Sequence, residues 1–258
     1  MAAIFQKESK VFHKIPGGYF AIVGGFIFIA LLLVAIVLYS LTVPINWFNQ
    51  FVSNLGIGPN GSAIAFSIGT FIIAVCLYPL VLHAGQLLWM TPDQNRAKLN
   101  NRMVIIAFIL AMFAIPGLIL VAFFNMGPAT ILVHGIGATL FFVGTVLYGG
   151  LFWLCIEIHK DSTFLLRICT LAVLGFFICF MGAVVILVAQ NPSEMATFLA
   201  SPSSYIIRIL GDVTDTRLAW IRFFEWWFIL AMVAWNLYLG YHAVKMAQKR
   251  HLTRGPAL

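Results

Sequence analysis

The chain contains six long apolar segments separated by five shorter polar stretches. Because a helix rises 1.5 Å per residue, about 20 apolar residues cross the roughly 30 Å hydrocarbon core of a bilayer. Hydrophobic residues make up 62% of the 258, and charged residues only 9%. The sequence therefore predicts an all-α, polytopic membrane protein, a bundle of six transmembrane helices. The predicted spans are 19–43, 62–90, 103–124, 130–157, 164–190 and 218–244.

Two other architectures fit the sequence less well. A membrane β-barrel needs short segments of alternating polarity, whereas the run from Ala21 to Val43 is apolar on every face. A cleaved signal peptide would have a shorter apolar region than the first segment and a clear small-residue cleavage site. We therefore expect the first segment to stay as an anchor, and residues 1–258 to form a single transmembrane domain.

The distribution of Lys and Arg predicts the orientation, because basic residues near helix ends are retained on the cytoplasmic side. With the N-terminus cytoplasmic, twelve of the fifteen basic residues lie inside, and only Arg208, Arg217 and Arg222 lie outside. Both the N- and C-termini are therefore predicted to be cytoplasmic. The longer connections, 44–61 and 191–217, then face the outside of a multi-pass protein of the cell membrane.

The net charge of +7 has a topological explanation. The basic residues are spread over short connections without a nucleic-acid-binding motif, so we expect attraction to anionic lipids and no nucleic-acid partner. The cysteines all lie within predicted spans and lack metal-ligand spacing, so neither a metal site nor a cofactor is expected. These cysteines are Cys76, Cys155, Cys169 and Cys179.

The first outer loop is uncharged but rich in amides, aromatic residues and glycine. Trp47 and Phe48 are suited to the headgroup zone, and the glycines permit tight turns. Two interpretations follow: a compact lid whose amides bond within the loop, or a segment that contacts a ligand. Asn60 begins a glycosylation-like triplet that directly abuts the second span and therefore carries little weight.

One face of the fourth span combines a histidine with small and aromatic residues. His134, Gly137, Phe141, Gly144 and Tyr148 recur at steps of three or four residues and so share a helical face. Small residues on such a face allow neighbouring helices to approach closely. We therefore expect His134 to point into the bundle near the outer boundary, either as a packing element or as part of a site.

The sixth span carries two charged residues one turn apart, Arg222 and Glu225, with Asn236 further along the same face. A charged group inside a span costs about 2.5–3.5 kcal/mol on insertion scales unless it is paired or faces a cavity. The two side chains can pair with each other at this spacing. They can equally contribute to a polar site beside His134 and the first loop.

Three motifs along the chain resemble a known family. Residues 53–59, SNLGIGP, look like the "iSdlG..P" signature of the DRAM/FRAG/SFK membrane proteins and of a related prokaryotic family of hypothetical membrane proteins. The string from His134 to Tyr148 is similar to their "H..ga..fF......Y" pattern, and Glu225-Trp226 to their final-span "EW" motif. The motifs occur in the same order, and the resemblance covers essentially the whole chain. Asn54 stands where Asp is common in the family.

The resemblance implies a lipid-associated role, because members are mostly assigned to anchor remodelling, phosphoinositide signalling or autophagy regulation. No accepted catalytic mechanism accompanies the family. We therefore expect an outer-leaflet pocket, formed by the first loop and spans four and six, that binds a membrane-lipid headgroup, with Arg222 on the phosphate. The candidate ligand-binding residues are Asn54, Asn125, His134, Arg222 and Glu225.

Three alternatives stay open. The chain could be a non-catalytic partner of another membrane protein. It could be a lipid acyl transferase or hydrolase in which Ser53, His134 and Glu225 supply nucleophile, base and orienting carboxylate. A haem-binding electron carrier would use intramembrane histidines, but none of those in the chain has the mid-depth spacing that pairs two haems. The histidines in question are His83, His134, His159 and His242.

Overall fold

The structure is a computed structural model that describes Phe12 and residues 15–48, 50–89, 94–124, 127, 129–190 and 218–254. Within these ranges the regular secondary structure is entirely helical, with six α-helices and one short 3₁₀ helix, Val52–Ile57. The α-helices are α1 (Gly18–Ser40), α2 (Ser62–Trp89), α3 (Gln94–Phe123), α4 (Ile131–Ile158), α5 (Phe164–Gln190) and α6 (Ala219–Arg254).

The predicted number and position of the apolar helices are confirmed. All six α-helices are long and apolar enough to cross a membrane. Two helices continue well past their predicted spans: α3 begins at Gln94 rather than residue 103, and α6 ends at Arg254 rather than residue 244. These extensions are rich in Lys, Arg and Gln, which favour a helix but lower the hydropathy. Apolarity therefore predicts the membrane crossing, whereas the helix itself is longer.

The helices form a closed bundle in which chain neighbours are mostly spatial neighbours. Helix α1 packs on α2, α2 on α3, and α3 on α4. Helix α6 packs on both α1 and α5. The helix α5 packs mainly on α6 and less on α4. Only 11% of its 18-residue apolar stretch is buried inside the protein. It lies at the periphery, while α2, α4 and α6 provide most of the interior near the first loop.

The surface of the bundle is covered with large apolar side chains. Phe26 on α1, Ile64 on α2 and Ile178 on α5 are each more than 60% exposed, and similar residues occur on the other helices. In water such a continuous apolar surface would be costly, whereas lipid chains solvate it. This pattern agrees with a multi-pass membrane protein whose outward faces contact lipid.

The predicted face of α4 is buried, and its two glycines lie against α3. His134, Gly137, Phe141, Gly144 and Tyr148 are all buried, as the spacing indicated. The two backbones meet at a glycine pair: a Cβ atom added to Gly137 would lie 2.7 Å from the Gly117 carbonyl oxygen on α3. No side chain fits at this contact without the helices separating. The close crossing fixes the position of the first turn of α4, which carries His134.

We expect Gly137→Ala to destabilise the protein, because its methyl group would overlap the backbone of α3. Overpacking of this kind costs about 1–3 kcal/mol. Gly135→Ala is the matched control, since a Cβ atom there meets nothing within 4 Å and alanine favours the helix. Thermal unfolding of the purified protein in detergent should show a lower Tm for Gly137→Ala and an unchanged or higher Tm for Gly135→Ala. Equal Tm values would contradict the close crossing.

Candidate functional site

The first loop folds back onto the end of the bundle as a compact, buried turn. The 3₁₀ helix Val52–Ile57 is buried from Val52 to Gly56, while Trp47 and Phe48 stay exposed at its edge. A backbone hydrogen bond stabilises the turn, in which the Asn54 N–H donates to the Phe51 carbonyl at 3.1 Å. The loop is compact, as the lid interpretation expected, but its amides do not all bond within the loop, because the Asn54 Oδ1 has no partner among the described residues. The lid covers the interior between α2, α4 and α6.

The loop returns to α2 through a tight turn at Asn60 and Gly61, both of which have positive φ. Gly61 adopts this conformation without a Cβ penalty, and Asn tolerates it better than most residues. The Asn60 side-chain amide donates to the Leu38 carbonyl at 3.1 Å and to the Thr42 hydroxyl, which lies 2.6 Å away. The turn thereby ties the lid to the end of α1.

Two adjacent residues of α6 hold the lid in place. Glu225 Oε2 accepts a hydrogen bond from the Val52 N–H at 3.0 Å, and Oε1 accepts one from the Ser53 hydroxyl at 3.4 Å. The indole N–H of Trp226 donates to the Gln50 carbonyl at 2.9 Å. The Glu-Trp pair of the sixth span therefore satisfies backbone groups of a segment more than 170 residues earlier in the chain.

A cavity of about 60 Å³ lies beneath the lid, at the centre of the bundle. Its walls come from α1, α2, α3, α4, α6 and the 3₁₀ helix, and most of them are aliphatic or aromatic. Five polar side chains interrupt these walls: Ser53, Thr70, His134, Glu225 and Asn236. A volume of this size equals that of about two water molecules in the liquid.

His134 is fixed by a hydrogen bond at the start of α4. Its Nδ1 lies 2.7 Å from the carbonyl oxygen of Phe124, just after α3. Because a carbonyl can only accept, Nδ1 must carry the proton, so Nε2 of the neutral ring is an acceptor. His134 therefore contributes an acceptor nitrogen to the cavity that it lines.

Arg222 and Glu225 have separate environments. In the described part of the chain, both hydrogen bonds of Glu225 go to the lid and none goes to Arg222. The guanidinium of Arg222 is buried and lies 5.3 Å from the ring centroid of Phe51, in cation–π range. Arg222 does not line the cavity. The i,i+3 ion pair considered from the sequence is thus replaced by two contacts with the first loop.

The two predicted asparagines have different outcomes. Asn54 is buried in the lid, and its Oδ1 has no hydrogen-bond partner among the described residues, but it does not line the cavity. Asn125 lies outside the described residues, so its role stays a prediction. Of the five candidate ligand-binding residues, the structure brings His134 and Glu225 together in one cavity.

Sequence reasoning missed two polar groups of the cavity, Thr70 on α2 and Asn236 on α6. Asn236 lies eleven residues after Glu225, which is three helical turns and places both on one face. The sequence places Asn236 on the face of Arg222 and Glu225, but it was not among the candidate ligand-binding residues. Thr70 is a single hydroxyl in an apolar segment, and no local pattern distinguishes it from a packing residue.

The two catalytic or cofactor alternatives gain no geometric support. Ser53 contacts Glu225 directly, and the Nδ1 bond of His134 goes to the Phe124 carbonyl, so a Ser–His–Glu relay is not assembled among the described residues. His83 Nδ1 accepts the Gly17 N–H at 3.0 Å, and His159 Nε2 lies 3.0 Å from the Leu88 carbonyl. Both histidines thus serve backbone hydrogen bonds near the opposite end of the bundle.

Comparison of the chain with protein-family models, curated proteins and solved structures finds no match. The resemblance to the DRAM/FRAG/SFK proteins therefore stays a prediction that depends on the three motifs alone. The structure gives two of those motifs a shared physical role, because the SNLGIGP segment forms the lid and the Glu-Trp pair holds it.

We expect Trp226→Phe to loosen the lid while preserving the aromatic packing of Trp47, whose ring centroid lies 4.7 Å from that of Trp226. The change removes the hydrogen bond to Gln50, worth about 1 kcal/mol. Hydrogen–deuterium exchange of the peptide spanning residues 50–57 should accelerate about five-fold.

Trp227→Phe is the control, because this neighbouring indole is exposed and stacks on Phe176 of α5, away from the lid. Its exchange across residues 50–57 should match that of the wild type. Equal acceleration in both variants would show that the effect comes from general loosening of α6 rather than from the Gln50 hydrogen bond.

Proposed function

We propose that the protein binds the headgroup of a membrane lipid at the first-loop end of the bundle, as a non-redox, lipid-associated membrane protein. The observation that supports this proposal is the cavity under the lid, where Glu225 and His134 interrupt otherwise apolar walls. Ionisable residues within a membrane domain are costly and commonly mark a ligand or ion pathway. A lipid supplies both the polar group for these residues and the apolar surface around them.

The proposed orientation places the lid on the outer face of the cell membrane and both termini in the cytoplasm. The positive-inside distribution of Lys and Arg supports this orientation. The cavity would then open towards the outer leaflet when the lid moves. Membership of the DRAM/FRAG/SFK family, whose proteins are mostly assigned to lipid-linked processes, is part of the same proposal.

The orientation predicts one-sided labelling of engineered cysteines. In a background without native cysteines, Asn46→Cys in the lid segment and Lys98→Cys in the polar start of α3 are both at exposed positions. A membrane-impermeant maleimide applied to intact cells should label Asn46→Cys and leave Lys98→Cys unlabelled until the cells are opened. The reverse pattern would invert the topology and place the lid in the cytoplasm.

Native mass spectrometry of the gently extracted protein tests the binding itself. The wild type should retain a lipid adduct that is lost or strongly reduced in His134→Ala and Glu225→Gln, because each change alters a polar wall of the cavity. Glu157→Gln is the control, since Glu157 pairs with Arg167 at 2.7 Å at the opposite end of the bundle. Circular dichroism and thermal unfolding establish that each variant is folded.

The same measurement distinguishes the remaining alternatives. A co-purifying protein subunit in place of a lipid would support the partner role, for which the exposed helix α5 offers a lateral surface. A lipid retained equally by all variants would place binding on the outer surface rather than in the cavity. Loss of a lipid ester accompanied by appearance of the free acid would support the hydrolase alternative, with Ser53→Ala as its test.

A further inference from the structure

Several polar side chains of the cavity have hydrogen-bond acceptor positions that the protein leaves unused. Glu225 accepts two hydrogen bonds from the lid, one at each carboxyl oxygen, and each oxygen keeps a further lone-pair position. The Nδ1–H of His134 donates to the Phe124 carbonyl, so Nε2 is an acceptor when the ring is neutral. None of the described lining residues is Lys or Arg.

Asn236 supplies a further acceptor that lacks a partner. Its Nδ2 donates to the Met232 carbonyl at 2.9 Å, and since a carbonyl cannot donate, the network fixes the other amide atom as oxygen. That oxygen is buried without a hydrogen-bond partner among the described residues, on a side chain only 4% exposed. Leaving such an acceptor unsatisfied costs about 1–3 kcal/mol.

Thr70, on the wall formed by α2, is a second lining side chain with an unpartnered oxygen. Its side chain is 2% exposed, lines the same cavity, and its hydroxyl has no hydrogen-bond partner within the described residues. A hydroxyl in an α-helix usually bonds to the carbonyl four residues earlier or to a neighbour. Two unpartnered polar atoms on two helices around one cavity indicate a place where a bound group completes the hydrogen bonding.

We infer that this bound group is the hydrogen-bond-donating end of a lipid headgroup, a primary ammonium or a hydroxyl, rather than its phosphate. The inference rests on the proposed lipid-binding function. A phosphate has only acceptor oxygens when fully ionised and would meet Glu225 and the Asn236 oxygen without a compensating Lys or Arg among the described lining residues. A primary ammonium donates up to three hydrogen bonds and a hydroxyl donates one, so either group supplies the donor that the Asn236 oxygen lacks.

The dimensions agree with recognition of a headgroup tip. The cavity of about 60 Å³ accommodates a terminal ammonium or hydroxyl with the carbon that carries it. The tip enters past Ser53, which belongs to both the lid and the cavity wall and holds Glu225 through a long 3.4 Å hydrogen bond. The remainder of the headgroup then lies at the edge of the lid, outside the cavity.

The test is a competition between lipids that carry identical acyl chains. The purified full-length protein is incubated with phosphatidylethanolamine against phosphatidylcholine, and separately with phosphatidylglycerol against phosphatidylethanol, and retained lipid is counted by native mass spectrometry. Each pair has the same charge and one phosphate, and only the first member has a terminal donor. We expect at least a tenfold preference for the donor lipid in one or both pairs.

The two pairs also identify the donor. A preference in the first pair alone assigns an ammonium, a preference in the second pair alone assigns a hydroxyl, and either result supports the inference. Equal retention within both pairs would overturn the inference while leaving lipid binding intact. Absence of any retained lipid would instead overturn the proposed function itself.

Two near-isosteric variants connect the preference to the cavity. Thr70→Val and Asn236→Leu remove the unpartnered oxygens, so each should reduce the preference at least threefold, while their stability without lipid stays equal to the wild type or rises. Thr139→Val is the control, because this threonine is exposed and bonds to the Gly135 carbonyl on its own helix. An unchanged preference in both cavity variants would place the donor-binding site elsewhere.

Discussion

The carboxylate of Glu225 is the group on which this end of the bundle depends. A buried carboxyl group is tolerated when hydrogen bonds replace its hydration, and here the donors are the backbone of Val52 and the hydroxyl of Ser53. These donors belong to a segment that would otherwise have to find hydrogen-bond partners in water or headgroups. The lid and the Glu225 carboxyl group therefore satisfy each other's hydrogen bonds.

Trp226 provides a second attachment between α6 and the lid. Its indole bonds to Gln50 and packs against Trp47, so α6 grips the lid at two successive residues. Phe48 stacks on Phe223 at 4.9 Å and extends the contact along α6. These aromatic contacts resist sliding of the loop along α6. The Ser53–Glu225 hydrogen bond over the cavity is weaker, because its donor–acceptor distance is 3.4 Å. Opening of the lid at Ser53 thus disturbs the fewest strong interactions.

The sequence predicted the helices well because membrane insertion imposes a simple rule of length and apolarity. It also predicted the inward face of α4, since the small residues at Gly137 and Gly144 follow the helical period. It did not predict the ends of α3 and α6, where polar helix formers extend the helix beyond the apolar core. Hydropathy and helix formation are different properties, and they diverge at those ends.

The site was predicted only in part, for a reason that concerns Arg222. Charged residues within a span are costly, so the sequence predicts a common role for Arg222 and Glu225. A helix turns by about 100° per residue, however, and two side chains three positions apart can face different spaces. Arg222 contacts Phe51, while Glu225 reaches the cavity with Asn236, three turns away. The proposed ligand chemistry follows from this separation: no guanidinium lies among the described lining residues, the Asn236 oxygen there lacks a partner, and a donor group complements it.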